Sequence, residues 1–308
     1  MSYKNPAMMG PPLIFKLDFQ MSARIDESPY IHKWLNLLIV SCLTVFISAC
    51  GQNSVQSQKD SSNSGTETFA LDVYGQPNLN GIWQAMNTAH WNLESHAASA
   101  GPVVRMGALG GIPAGQSVIV GGEIPYQPWA RKQQAENKKN WLEKDPAVKC
   151  FLPGVPRATY MPFPFQIVQG SDTTLIIYEF ASASRMVYMD KPDFEHPFEA
   201  WMGHSRGRWE GNTLVIDVAS HVADTWFDAA GNFHSDALHV EERFTPQSEN
   251  ILLYEATITD EKVFTEPWKI SMPLYRRMEK NAQLLEFKCV EFAEELMYGH
   301  LVKDNKAE

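Results

Sequence analysis

The chain has 308 residues, a formal charge of −10, 44% hydrophobic side chains and four cysteines. That length supports a substantial core, in one large domain or two small ones. No Lys/Arg cluster is present to neutralise phosphates, so the acidic balance excludes nucleic acid as a partner.

Lys33 precedes an apolar run, WLNLLIVSCLTVFISA, that ends at Cys50. The run is too short, and too rich in small residues at its end, for a transmembrane helix, and it has the three regions of an export signal. Ile47-Ser48-Ala49-Cys50 resembles a bacterial lipobox, in which the cysteine is lipidated and becomes the first residue of the mature chain. An ordinary signal peptide or anchor is the alternative. Met21 would give the signal a conventional short start, so residues 1–20 read as a misassigned beginning. The domain plan is therefore a signal over 1–50, a Ser/Gln/Asn/Gly-rich flexible tether over 51–70 and a single domain over 71–308. Cys42 leaves with the signal and Cys50 carries lipid. Cys150 and Cys289 are then the remaining pair in an oxidising compartment, which predicts a disulfide between them, with two buried free thiols as the alternative.

Leu79–Trp83 reads as a first short strand. Residues 101–125 carry seven glycines and three prolines and read as a long loop or lid, with Gln116–Val120 a short strand inside it. Pro128 opens the one convincing helix, Trp129–Lys144, whose composition is that of a good helix former. Its two ends, at Trp129 and Trp141-Leu142, are expected to pin it while its middle stays wet. Residues 149–169 contain four prolines and are expected to be irregular until Phe165, with Arg157 and Tyr160 as polar members lining a mouth.

Period-two runs dominate from there. Strands are expected over Thr173–Phe180, Ser184–Asp190, Arg206–Glu210, Thr213–Val218, Leu238–Phe244, Ile251–Thr259, Val263–Met272 and Leu284–Glu291. Gly211-Asn212 is a two-residue hairpin turn. Short strands at regular spacing give a mainly β fold, an antiparallel meander closed into a barrel with one helix and long Pro/Gly-rich loops. Parity puts Leu214, Ile216 and Val218 on one face and Thr213, Val215 and Asp217 on the other. It does not say which face is inside, so Asp217, Glu242, Glu255 and Glu266 fit either a ligand-binding interior or an outer surface.

The stretch Gly203–Arg243 concentrates the chemistry. After its hairpin comes a connection holding Asp224, Trp226, Asp228, His234 and Asp236, a place where binding and catalytic groups are often displayed. His234 oriented by Asp236, Asp228 or Asp224 could move protons; the competing reading is a turn whose acids cap backbone amides. Trp226, Trp201, Arg157, Tyr160, His204, Glu242 and Glu255 are the candidate ligand-binding residues. Gly203-His204-Ser205-Arg206-Gly207 only mimics a nucleophile elbow, because it precedes a hairpin strand rather than a helix. No His-x-His or His-Glu-x-x-His pair occurs, so neither a metal nor a cofactor is expected.

The runs Cys150–Arg157, Gly207–Val215, Thr225–Asp228, His234–Leu238 and Phe264–Trp268, with Gly81-Ile82-Trp83 on the first strand, resemble a large family of exported bacterial lipocalin-like (calycin-type) β proteins. The resemblance covers about residues 77–292. It implies a barrel and export, and it supplies no reaction or catalytic set. The reading as a whole is a monomer on the periplasmic face of a bacterial membrane, the outer membrane ahead of the inner, attached through its lipid anchor only. It would carry or sense a small apolar or aromatic molecule. A cofactor-free acid–base enzyme and a purely structural envelope protein are the alternatives, to be separated by what lines the largest cavity.

Overall fold

The computed structural model describes residues 69–101, 104–191 and 198–290. The expected signal, its Cys50 and nearly all of the tether lie outside the described residues. Nine strands form one closed barrel in chain order: β1 (Gly81–Ala85), β2 (Phe165–Gln169), β3 (Thr173–Tyr178), β4 (Ser184–Met189), β5 (His204–Glu210), β6 (Thr213–Ala219), β7 (His239–Ser248), β8 (Ile251–Thr259) and β9 (Trp268–Arg276). The β1–β9 pair closes the ring through Trp83↔Arg276 and Ala85↔Leu274.

All neighbours are antiparallel except β4 and β5, which are parallel. A ring with an odd number of strands cannot alternate direction all the way round, so the expected wholly antiparallel meander has to break once. It breaks between β4 and β5, which start at the same end of the barrel, so the return falls between Met189 and His204. Gly203 closes that return with φ 61°. A Cβ there would also lie 2.7 Å from the His221 ring, so both backbone and space require glycine.

Several expected boundaries move. The helix runs over α1 (Pro128–Lys139), breaks at Asn140 and resumes as the single turn α2 (Trp141–Lys144). Its buried residues are Ala130, Gln134 and Asn137, whereas Trp129 is half exposed; the middle, not the ends, is its docking face. One further turn, α3 (Arg157–Tyr160), interrupts the proline-rich segment. Gln116–Val120 makes only a bridge, with Val120 donating to the Lys269 carbonyl and Ser271 to that of Val118. It thereby covers the part of β9 that β1 leaves unpaired. The strand expected from Val263 starts at Trp268, and residues 284–290 form none.

Burial resolves the two strand faces. Leu214, Ile216 and Val218, then Val240, Glu242 and Phe244, then Leu252, Tyr254, Ala256 and Ile258 point inward, and Trp83, Phe165, Ile167 and Ile176 join them. Each large apolar side chain among them contributes about 1.5–3 kcal/mol by leaving water. Asp217 and Glu255 point outward; Arg208 ties Asp217 to Glu210 and Glu241, and Glu255 meets Lys269 at 3.4 Å. Glu266 is exposed in the turn before β9. Among these carboxylates only Glu242 faces in, where Arg185 meets it at 2.6 Å and the Tyr254 hydroxyl donates to it at 2.7 Å.

Cys150 and Cys289 are joined by a disulfide across a sequence separation of 139. In the chain-entropy view a loop of that length stabilises the fold by about 4–5 kcal/mol, an upper-end figure. Among the described residues no helix is long and apolar enough to cross a membrane.

Candidate functional site

Strand directions place the chain's long connections at one end of the barrel. There β1, β6 and β8 finish, β2, β7 and β9 start, and residues 86–101, 104–164, 220–238 and 260–267 lie in the connections at that opening. The 220–238 connection carries a small hairpin of its own, with Trp226 bridged to Phe233 and the Phe227 amide donating to the Asn232 carbonyl at 2.7 Å. Helix α1 clasps its tip from above: Gln134 Nε2 donates to the Ala230 carbonyl at 2.6 Å and Asn137 Nδ2 to that of Gly231 at 3.3 Å. From below, the Tyr160 hydroxyl donates to the Phe227 carbonyl at 2.8 Å. The buried polar face of α1 thus serves orphaned loop carbonyls, which is why it lacks an apolar stripe.

This packing scatters the expected acid–imidazole cluster. His234 is buried; its Nε2 meets the Thr225 hydroxyl at 2.6 Å and its Nδ1 the Ser235 carbonyl at 2.8 Å. A carbonyl only accepts, so Nδ1 carries the proton and Nε2 accepts from Thr225. Gly154, at φ 73°, lets the 150–157 turn press on Thr225, which a Cβ would meet at 2.7 Å. Burial holds the His234 pKa below the ordinary value against the Ser235 bond and the Asp260 charge. Asp236 is on the surface, paired with Lys262 at 2.7 Å, and Asp224 is exposed. Neither is the hydrogen-bond partner of His234, so the expected pairing is not formed.

Asp228 has a different role. It is wholly buried, and its carboxylate takes three N–H donors: Leu93 on Oδ2 at 2.8 Å, Asn232 Nδ2 on Oδ2 at 2.6 Å and the Asn232 amide on Oδ1 at 3.2 Å. Burial raises its pKa to about 7, only partly offset by these bonds and by Arg157. Arg157 gives little help because it is held by Asp145 in a two-pronged pair, both contacts at 2.7 Å. His90, next to the cleft, is pushed down to about 4 by burial and then by the Arg157 charge.

The other expected ligand residues lie apart. Trp226 is buried in the small hairpin. Trp201 stacks on Phe151 at 4.7 Å, and His204 Nε2 lies 3.1 Å from the Phe198 carbonyl. Tyr160 and Arg157 lie under the loops, Glu242 is sealed in the barrel, and Glu255 is outside it.

The cleft that does open at this end has a volume of about 470 Å³. Its walls include Trp91, Glu94 and His96 from one loop, Lys138 and Trp141 from the helix, and Ala229-Ala230 from the hairpin tip. The two indoles meet edge to face at 5.9 Å. Glu94 is occupied by Arg131 at 3.1 Å, whereas Lys138 has no carboxylate partner among the described residues. His90 Nδ1 and His96 Nε2 are buried without a hydrogen-bond partner. A recess of about 630 Å³ at Phe198, Ala219-Ser220 and Asp236–His239 is larger, but it is more open and has one aromatic ring besides its histidine. Sequence reasoning missed Trp91 and His96 because they stand in a loop without period. The available signal was a pair of aromatic rings, His90-Trp91, just beyond the first strand.

Among the described residues no group of three or more His, Cys, Asp or Glu is arranged to hold a metal. No protein-family model, curated protein or solved structure matches the chain.

Proposed function

We propose that the protein is a lipid-anchored barrel on the periplasmic face of a bacterial membrane that binds a small aromatic molecule in the Trp91–Trp141 cleft. The observation that carries this reading is the pair of indoles meeting edge to face beside Ala229-Ala230, with the Lys138 ammonium, which has no carboxylate partner among the described residues, in the same wall. Flat apolar surface with a few placed polar groups is the usual make-up of a small-molecule site. The lone cation selects an aromatic acid over an amine. The ligand is thus amphipathic rather than purely apolar, and it sits on the barrel's end instead of in its core. The resemblance to exported lipocalin-like proteins, the Lys33–Cys50 signal and the Cys150–Cys289 disulfide all support export.

The binding test is a titration of the mature chain with benzoate, indole-3-carboxylate and their uncharged amides, read by tryptophan fluorescence. The acids should bind and the amides more weakly; failure of every aromatic acid at millimolar concentration would refute the site. For the anchor, Cys50→Ser should move the protein out of the membrane fraction. Processed, membrane-bound protein after that change would refute lipidation.

A further inference from the structure

Residues 277–290 follow the last strand and form neither helix nor strand. None of them is buried, and Met278, Leu285 and Val290 are 68%, 66% and 59% exposed. The segment starts on the barrel, where the Arg277 amide donates to the Ile82 carbonyl at 2.8 Å and its guanidinium to Gln84 at 3.1 Å. Beyond Arg277 its ties to the rest of the chain, among the described residues, are few. The Leu285 amide donates to Glu179 Oε2 at 2.8 Å, the Phe287 ring lies 5.0 Å from both Phe163 and Phe180, and Cys289 is bonded to Cys150. One hydrogen bond and one packed ring are little against the entropy of about a dozen ordered residues. The covalent tie therefore decides whether the segment stays in place.

We propose that the Cys150–Cys289 disulfide is a redox clasp: oxidised, it holds residues 278–290 as a strap over Phe163 and Phe180; reduced, it releases the strap and uncovers that aromatic face while the barrel stays folded. Cys150 is the fixed side. It ends a turn in which Asp145 holds the Ala147 amide at 3.0 Å and is itself gripped by Arg157, and the next ring, Phe151, stacks on Trp201. The strap is thus the arm that moves. The barrel does not need the bond to close, since the β1–β9 ladder closes it and its core lies between Leu79 and Leu274. Both cysteines are partly exposed, so a dithiol can approach from solution. One of its thiolates attacks a sulfur of the bond and the other cysteine leaves; its second thiol then displaces the mixed disulfide. Two electrons and two protons pass to the protein, which ends with two thiols, and the dithiol ends as its own disulfide. The clasp stands whether or not the cleft takes an aromatic acid.

The test is residue-resolved NMR of the mature chain before and after reduction with dithiothreitol. On reduction the order parameters of the 284–290 amides should fall below about 0.6, and the Leu285 amide should lose its protection against hydrogen exchange. Resonances of β6 and β7 should keep their folded positions, and reoxidation should restore the strap. Cys289→Ser should show the loose strap with or without dithiothreitol. Strap amides that stay ordered in the wild type after both cysteines are reduced would overturn the clasp without needing any variant to fold. So would β6 and β7 resonances that collapse together with the strap, because the bond would then be holding the barrel and not an arm.

Discussion

At one end of the barrel the strands turn at 170–172, 211–212 and 249–250, whereas at the other they are joined by connections such as 86–164 and 220–238. The tight end is closed by Trp83, whose Nε1 donates to the Leu79 carbonyl at 2.9 Å and whose face carries the Arg276 guanidinium at 4.2 Å. Polar groups there find backbone partners at once. At the loop end an acid is buried without its own cation, and two imidazole nitrogens are buried without partners. The barrel wall satisfies its backbone through the ladder, leaving side chains free to pack. Loops must satisfy theirs with side chains, so buried polar residues accumulate where the connections are long. Polar groups held this way can respond to protons or ligands, and among the described residues the tight end shows no buried acid of this kind.

The largest effect should come from the tight end. Trp83→Ala removes a wholly buried indole and its cation–π partner, and should destabilise the fold by about 3–5 kcal/mol in denaturant unfolding, with no change in slope against pH. A loss below about 1 kcal/mol would mean the indole is not the plug.

Next in size is the loop end, where the effect depends on pH. The folded pKa of Asp228 is raised from the ordinary 3.8 to about 7, so the folded chain binds that proton more tightly than the unfolded one. Its stabilising contribution is full below the ordinary value and is lost as pH rises through about 7. Asp228→Asn should therefore gain on the wild type between about pH 5 and about pH 8, by roughly 2–4 kcal/mol. A wild-type-to-variant difference that is flat across this range would erase the contrast between the ends. His90, lowered to about 4 by burial, has the opposite sign: its stability is present above the ordinary histidine value and is lost as pH falls towards 4.

The smallest effect sharpens the comparison within the tight end. Arg276→Met loses the contact over Trp83 and the Nε bond to the Glu249 carbonyl at 2.9 Å. It should cost about 0.5–2 kcal/mol, independent of pH. Thermal melts of Arg276→Met in the Trp83→Ala background should show the two changes to be less than additive.

Legibility in the sequence follows the same division. Ile251–Thr259 was readable to the residue because alternation and flanking turns agree there, and Gly211-Asn212 marked its hairpin because Gly211 takes φ 59°. The β4–β5 parallel pair was not readable, since it follows from strand count and closure rather than from any local pattern. Asp228 was picked out as site-like, but its partner Leu93 lies 135 positions away in a loop, and no local spacing reports such a contact. Strand parity left Glu242 and Glu255 equivalent; only the closed ring, with Arg185 inside and Lys269 outside, separates them. Trp91 was not readable as a site residue because the His90-Trp91 ring pair stands in an aperiodic loop, where such a pair has many possible fates.

The central claim, that the loop end is a binding site and not only a lid on a packed barrel, rests on the Trp91–Trp141 cleft. The most direct measurement is the dissociation constant of indole-3-carboxylate for the wild type, Trp91→Ala, Trp141→Ala and Lys138→Gln. The account predicts saturable binding to the wild type, weakened about tenfold or more by either indole loss and about threefold to tenfold by loss of the ammonium. Binding that is absent from the wild type, or that survives unchanged in the Trp91→Ala/Trp141→Ala double variant, would contradict it.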